Sequence, residues 1–533
     1  MPPDTQIVIV GGRIVTGDGT TLYERGVVRT RGTRIIDVAR GDADAGSDVV
    51  LLNAAGCTVI PGIVNAHAHG CIHGPSMPSG SVPVRPTDVD YFRNRHLLSG
   101  TTTLLNVCGL ALPDEIDGPS NQRHAMDIHL TTAHTTSNLA AAIVIDGGGL
   151  SERHKIARID DMVDKGAKAL GEAGGGQTLG GGAQDYRFIP AAIEAATGIS
   201  IHPKEARALK EAVLGRYLDR GLPDLARLNT LLIECGIAAK IDASDIIKLI
   251  RDTVMPPVVL SLKGFDEIAA ASERLDFPAI FHNAAPTAAT LLKLAETYPK
   301  ARMIAGHSNH PMFSPEEAVR FGLQLRKRGV AIDVSTLDCI ETRWRNDTAN
   351  IDALVEAGLV DTLSTDFAGG DWDSILSAIQ RMVRKRQLLL AGAIALATGN
   401  VSKTFPELAA DRGLLEKGKR ADLVIVENHN LGRVRHVVAN GELGVQRGDG
   451  GWGFARLRPA SGPLAGPRTP ISAALTACAI GVDSRGQCPP LRQFHVPTRK
   501  VVGIGSISCP ILASADAAEV GLPLHLRRRE RHR

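Results

Sequence analysis

The sequence predicts an α/β protein: a distorted (β/α)8 TIM barrel with a small β-sandwich domain built from the N-terminal segment and the segment after the barrel. Three observations carry this. Eight short apolar segments lie in the middle of the chain, most of them separated by helix-like stretches. Alternating β and α implies a parallel sheet, and eight units suffice to close it. The flanks read differently, as short strands joined by Gly- and Asp-containing turns. Finally, the first central segment ends in His67-Ala-His69. Residues two apart on a strand face one side, so both imidazoles emerge where barrel chemistry collects.

The N-terminal unit runs through Ile7–Val10, Arg13–Thr16, Val27-Val28, Arg34–Val38 and Val49–Leu52. A matching piece, Lys417–Val426 and His436–Leu443, comes far downstream. The two are expected to pair into one sheet, giving a composite domain of 1–60 plus 413–447. The barrel is expected over 61–412. After the His67/His69 strand its strands are read at Thr102–Val107, Ile128–His134, Ala167–Glu172, Ala279–His282, Met303–His307, Val330–Ser335 and Thr362–Asp366. Helices are read at Asp90–Ser99, Asp160–Lys165, Pro286–Tyr298 and Pro315–Arg328. The interval between Glu172 and Ala279 is too long for one βα unit of about 30 residues. It is read as an insertion at about 174–277, a lid or dimer contact. It opens Gly-rich and then turns helical over Pro203–Leu218 and Ala243–Arg251. The Gly174–Gly182 run reads as a flexible loop, since it lacks the Gly-Lys-Ser/Thr of a phosphate cradle. Residues 448–533 are rich in Pro, Gly, Ser and Arg with little periodicity, and read as an irregular, disordered tail.

Composition narrows the partners to a small-molecule substrate. A net charge of +3 over 533 residues, without a basic stripe interleaved with aromatics, does not suggest nucleic acid. No apolar run approaches membrane-spanning length, so no membrane contact is expected. The start lacks a basic, then apolar leader, and the eight Cys are scattered without a Cys-x-x-Cys pair. A reducing cytoplasm is the expected location. Homo-oligomers are common among soluble enzymes, and a homo-oligomer is expected here.

The strand ends carry the chemistry. In order they give His67 and His69, Glu172, His282, His307 and Asp366. Four imidazoles and two carboxylates suit zinc first, with iron, manganese or cobalt as alternatives. Six ligands exceed the need of one tetrahedral catalytic ion but serve two divalent metal ions that share a carboxylate. Glu172 is preferred to Lys168 for that shared position, because Lys168 lies lower on its strand. His134 and His310 also lie near strand ends, and each is open between a substrate contact and a structural role. His202, in Ile-His-Pro-Lys, reads as a residue that starts a helix.

Over residues 6–445 the chain resembles the amidohydrolase superfamily of metal-dependent hydrolases. The motifs are His67-Ala-His69, the later histidines His282 and His307, Ser364-Thr-Asp366, and Gly418-Lys-Arg-Ala-Asp-Leu-Val-Ile425. Within it, Gly171-Glu-Ala-Gly174 and Thr398-Gly-Asn400 are most similar to enamidase-type enzymes. The resemblance implies that His67, His69 and Asp366 hold one metal, His282 and His307 the other, and that Glu172 bridges them. It further implies hydrolysis of a C–N bond in a small cyclic amide, with Asp366 as general acid and base. A deaminase or N-acyl amino acid hydrolase on the same scaffold is the alternative. A non-catalytic assembly relative is the remote one.

Overall fold

The computed structural model describes residues 5–42, 49–118, 123–175, 179, 182–218, 221–336, 348–367, 374–448 and 451–454. The N-terminal strands are β1 (Gln6–Val15), β2 (Leu22–Arg31), β3 (Arg34–Arg40), β4 (Val50–Asn53) and β5 (Cys57–Pro61). The barrel strands are β6 (Ile63–Ala68), β7 (Thr101–Asn106), β8 (Asp127–Leu130), β9 (Leu170–Ala173), β10 (Ala279–His282), β11 (Met303–Gly306), β12 (Ala331–Ser335) and β13 (Thr362–Ser364). Then follow β14 (Leu423–Glu427), β15 (Asn430–Ala439), β16 (Glu442–Gly448) and β17 (Gly451–Phe454).

The two ends of the chain do pair. β14 runs antiparallel to β5, with Leu423 opposite Pro61 and Val424 opposite Ile60. A nine-stranded sheet results, in the order β17-β16-β15-β14-β5-β1-β2-β3 with β4 beside β1. Ile9, Ile14, Ile35, Leu52, Val59, Leu423 and Ile425 meet in one apolar core, so the sheet closes over itself as a β-sandwich. Alternation of apolar and polar residues drives this, since each strand has one face to bury. Gly62 is the joint between sandwich and barrel. A Cβ there would collide with the Thr102 side chain, which explains the glycine at this close approach.

The barrel is a ring of eight parallel strands. β6–β7–β8 form one run and β9 to β13 another. Bridges from Thr132 to Leu170 and from Ala68 to Phe367 close both gaps. Val64, Leu105, Ile280 and Ile304 fill the interior. Continuous apolar runs are what strands buried on both faces require.

The interval after β9 differs from expectation. The helix predicted over Ala243–Arg251 runs 33 residues, Ala243–Leu275, through Pro256 and Pro257. Ile246, Ile250, Val254, Val258, Phe265 and Ile268 keep one buried face on both sides of the prolines, and this packing outweighs the local helix-breaking tendency. Its second half meets helix Thr136–Ile145 at Gly264 and Asn138, and Phe265 packs on Phe281 of β10. Part of the interval therefore belongs to the helical layer of the barrel itself. Helix Pro203–Leu214 begins at His202, whose Nδ1 accepts the Lys204 N–H at 3.2 Å, as the sequence suggests. The Gly-rich stretch is described only in part; the tail expected to be irregular from 448 begins instead with β17, which pairs antiparallel with β16, and from 455 on it lies outside the described residues. No helix among the described residues is long and apolar enough to cross a membrane.

Candidate metal centre

Glu172 stands at the middle of the predicted constellation, with each carboxylate oxygen turned to a different pair of imidazoles. Its Oε2 lies 3.7 Å from His67 Nε2 and 3.7 Å from His69 Nε2. Its Oε1 lies 3.2 Å from His282 Nδ1 and 3.0 Å from His307 Nε2. Asp366 Oδ1 completes the first pair, 3.4 Å from His67 Nε2 and 3.3 Å from His69 Nε2. Ligand atoms of His67, His69 and Glu172, and of Glu172, His282 and His307, fall within 4.8 Å of one another.

Strand geometry explains how six residues distant in sequence meet. His282 ends β10, and His307 and Asp366 follow β11 and β13 directly. β6 ends at Ala68, and its pairing with β7 shifts register between Asn65 and Ala68. His67 and His69 therefore leave a bulged strand end rather than a regular strand, and bulges re-aim side chains in this way. The Asp366 N–H donates to the His67 carbonyl at 2.9 Å, and the His69 N–H donates to the Phe367 carbonyl at 2.7 Å. These bonds stitch the first barrel strand to the last. Two of the six residues hold left-handed backbones, His307 at φ +35° and Asp366 at φ +49°. Such conformations cost of order 1–3 kcal/mol and persist where neighbours over-determine them. Gly171, at φ +97°, lies where any side chain would strike the Ile280 carbonyl.

His67, His69, Glu172, His282 and His307 are almost fully withdrawn from solvent, Glu172 at 3% exposure, whereas the Asp366 side chain is 15% exposed. Burial alone would raise the Glu172 carboxyl, but His282, His307 and His67 outweigh it and hold it well below the usual carboxylate range. Burial likewise favours neutral imidazoles, yet Glu172 and Asp366 push His307 up to about 9. Asp366 raises His69 against burial in the same way. His282, beside His307, is lowered by burial and by that neighbour. Two buried carboxylates thus hold cationic character between them, which is what a divalent ion would supply. Among the described residues, the buried His67 Nε2 lacks a hydrogen-bond partner although it lies between Glu172 and Asp366. An unsatisfied buried nitrogen facing two carboxylates fits metal ligation.

The remaining candidates separate. The His310 ring centroid lies 5.4 Å from that of His282 and 5.7 Å from that of His307, at the edge of the cluster. His134 is buried with Nδ1 3.0 Å from the Thr132 hydroxyl, and no hydrogen bond or ion pair joins it to the six. Lys168 lies before β9 begins, at the opposite end of that strand from Glu172.

Three supporting residues escaped the sequence reading. Asn65 donates to Thr365 Oγ1 at 2.8 Å and accepts the Thr365 N–H at 3.2 Å. Asp333, on β12, accepts from Thr362 Oγ1 at 2.7 Å, Ser364 Oγ at 2.8 Å and the His307 N–H at 3.4 Å. Cys108 Sγ lies 3.7 Å from His69 Nδ1. A polar residue inside an otherwise apolar strand, as in Ala331-Ile-Asp-Val334, is the signal that could have found Asp333.

Residues 237–444 match the family model for the amidohydrolase family, a span that includes His282, His307 and Asp366. Over this stretch the chain is similar to the amidohydrolase family. Among solved structures, an amidohydrolase has a TM-score of 0.50 at 13% identity, covering 83% of this chain and 100% of its own. An uncharacterized protein has a TM-score of 0.50 at 13% identity, covering 82% and 99%. A β-aspartyl dipeptidase from Fervidobacterium islandicum AW-1 has 0.47 at 16% identity, covering 85% and 100%. At these identities the likeness to the first two speaks for the fold alone. No curated protein matches the sequence.

Proposed function

We propose that this chain is an amidohydrolase, a binuclear metal-dependent enzyme that opens the C–N bond of a small cyclic amide. One observation carries the binuclear reading: the Glu172 oxygens face two separate histidine pairs. His67, His69 and Asp366 would hold one ion, His282 and His307 the other, with Glu172 shared. Two divalent ions, zinc first, supply Lewis acidity toward the amide carbonyl and lower the pKa of water toward neutrality. The remaining work falls to the protein. Asp366 accepts the proton of the attacking water and passes it to the leaving nitrogen. A carboxylate held at low pKa is a weak base, so it acts on water already acidified. The Asn65–Thr365 contacts and the left-handed Asp366 backbone fix that carboxylate before substrate arrives. His310, whose ring lies beside that of His282, would contact the substrate. The cyclic-amide reading rests on the Gly171-Glu-Ala-Gly174 context of the shared carboxylate.

Elemental analysis of the purified chain, combined with a lactam and cyclic-imide panel, tests this reading. About two ions per chain and ring-opening of at least one member are expected. One ion per chain would favour a mononuclear deaminase-type site, and none after reconstitution would overturn the hydrolase mechanism.

A further inference from the structure

A narrow cavity opens beside Glu172 and runs along helix Thr136–Ile145. Leu110, Ala133, Ala141, Ala142 and Ile145 form its apolar side, with Ser79, Asn138 and Ser261 as uncharged polar members. It leaves about 20 Å3 for the centre of a water-sized group, enough for a methyl or methylene. Among its described lining residues Glu172 carries the single charge. The Asn138 amide nitrogen is already engaged, donating to Thr135 Oγ1 at 2.9 Å. Alanines at 141 and 142 keep the helix face apolar while leaving the space open.

We infer that this cavity receives the compact, uncharged, apolar part of the substrate next to the scissile C–N bond. The inference rests on the hydrolase reading above and narrows its substrate class. A carboxylate buried here would need a cation or several donors; the described wall offers no cation, and of its side-chain donors Ser79 is shared with Ser81 and Asn138 with Thr135. A methylene segment of a neutral ring loses nothing there and gains contact with the alanines and Leu110. Substrates carrying a free carboxylate beside the reacting bond, as N-acyl amino acids do, are correspondingly excluded from it.

Metal-directed hydroxamates test this without knowledge of the substrate, because the acyl chain is delivered next to the ions. Butyrohydroxamate and malonyl monohydroxamate have similar reach; one ends in a methyl and the other in a carboxylate. Binding of each to the full-length, metal-loaded protein is measured by calorimetry, with metal counted in the same samples. Butyrohydroxamate is expected to bind at least about 10-fold more tightly, the discrimination typical of a small apolar pocket. Ala142→Val fills the cavity and is expected to shrink that ratio to below about 3-fold. Should that variant not fold, Ala141→Ser is the substitute, with a smaller fall in the same ratio. Equal or tighter binding of the malonyl compound with two metals present overturns the cavity assignment alone. A chain without metal that binds neither probe overturns the hydrolase reading and the cavity with it.

Discussion

Asp366 and Glu172 have different duties although both are carboxylates within reach of His67 and His69. Asp366 touches one histidine pair, whereas Glu172 touches both. Asp366→Asn keeps an oxygen ligand but removes proton transfer. It is expected to retain most of its metal while kcat falls about 10²–10⁴-fold; full turnover in that variant would remove the acid–base role. Glu172→Gln is expected to lower the metal count from two toward one, read by elemental analysis. If Lys168→Ala did this and Glu172→Gln did not, the bridging assignment would be wrong. That these six residues each end an apolar segment was legible in the sequence. What was not legible is which oxygen faces which imidazole, since side-chain direction depends on bulges and positive-φ turns.

At the scale of elements, the site depends on how β6 is fastened to the segment after β13. Asn65 forms two hydrogen bonds with Thr365 from a fully buried position. Removing the amide leaves the Thr365 N–H unsatisfied, at a cost of about 1–3 kcal/mol. Asn65→Ala is therefore expected to lower the free energy of unfolding by that amount, read from denaturant titration, and to weaken metal retention against a chelator. Unchanged metal retention would show that the His67 and Asp366 ends are held by their backbone bonds alone. The element boundaries were read closely for β10 and β12. They were missed for the helix ending at Leu275, because Pro256-Pro257 is a local stop signal. Burial of Val254, Val258 and Phe265 on one face overrides it.

For the whole molecule, sandwich and barrel are joined by charge as well as by the β5–β6 connection. Asp127, at the start of β8, accepts from Arg412 at 2.5 Å and from Arg420 at 2.7 Å, just ahead of β14. Arg420 also pairs with Asp422. Burial would raise the Asp127 carboxyl, but His129 and Arg412 outweigh it and hold it well below the usual range. A carboxyl depressed in the folded state stabilises above its unfolded pKa, about 3.9, and that stability is lost as pH falls through the folded value. Stability is thus expected to be flat from neutral pH to about pH 5 and to decline below about pH 4. Asp127→Asn should cost about 3 kcal/mol at neutral pH and flatten part of the acid decline. Denaturant titrations at several pH values check both, and an identical acid profile in the variant would assign the decline to other carboxylates.

By itself the sequence determined the fold class, the pairing of the two chain ends and the order of the ligand-type residues. These follow from local periodicity and from polar residues that interrupt apolar runs. Only the tertiary structure decided that Glu172 divides its oxygens between two histidine pairs, that Asn65 and Asp333 support them, and that a narrow cavity, charged only at Glu172 among its described lining, lies alongside. Each of these depends on distances between residues tens to hundreds of positions apart. Barrel closure sets those distances, and no local pattern encodes it.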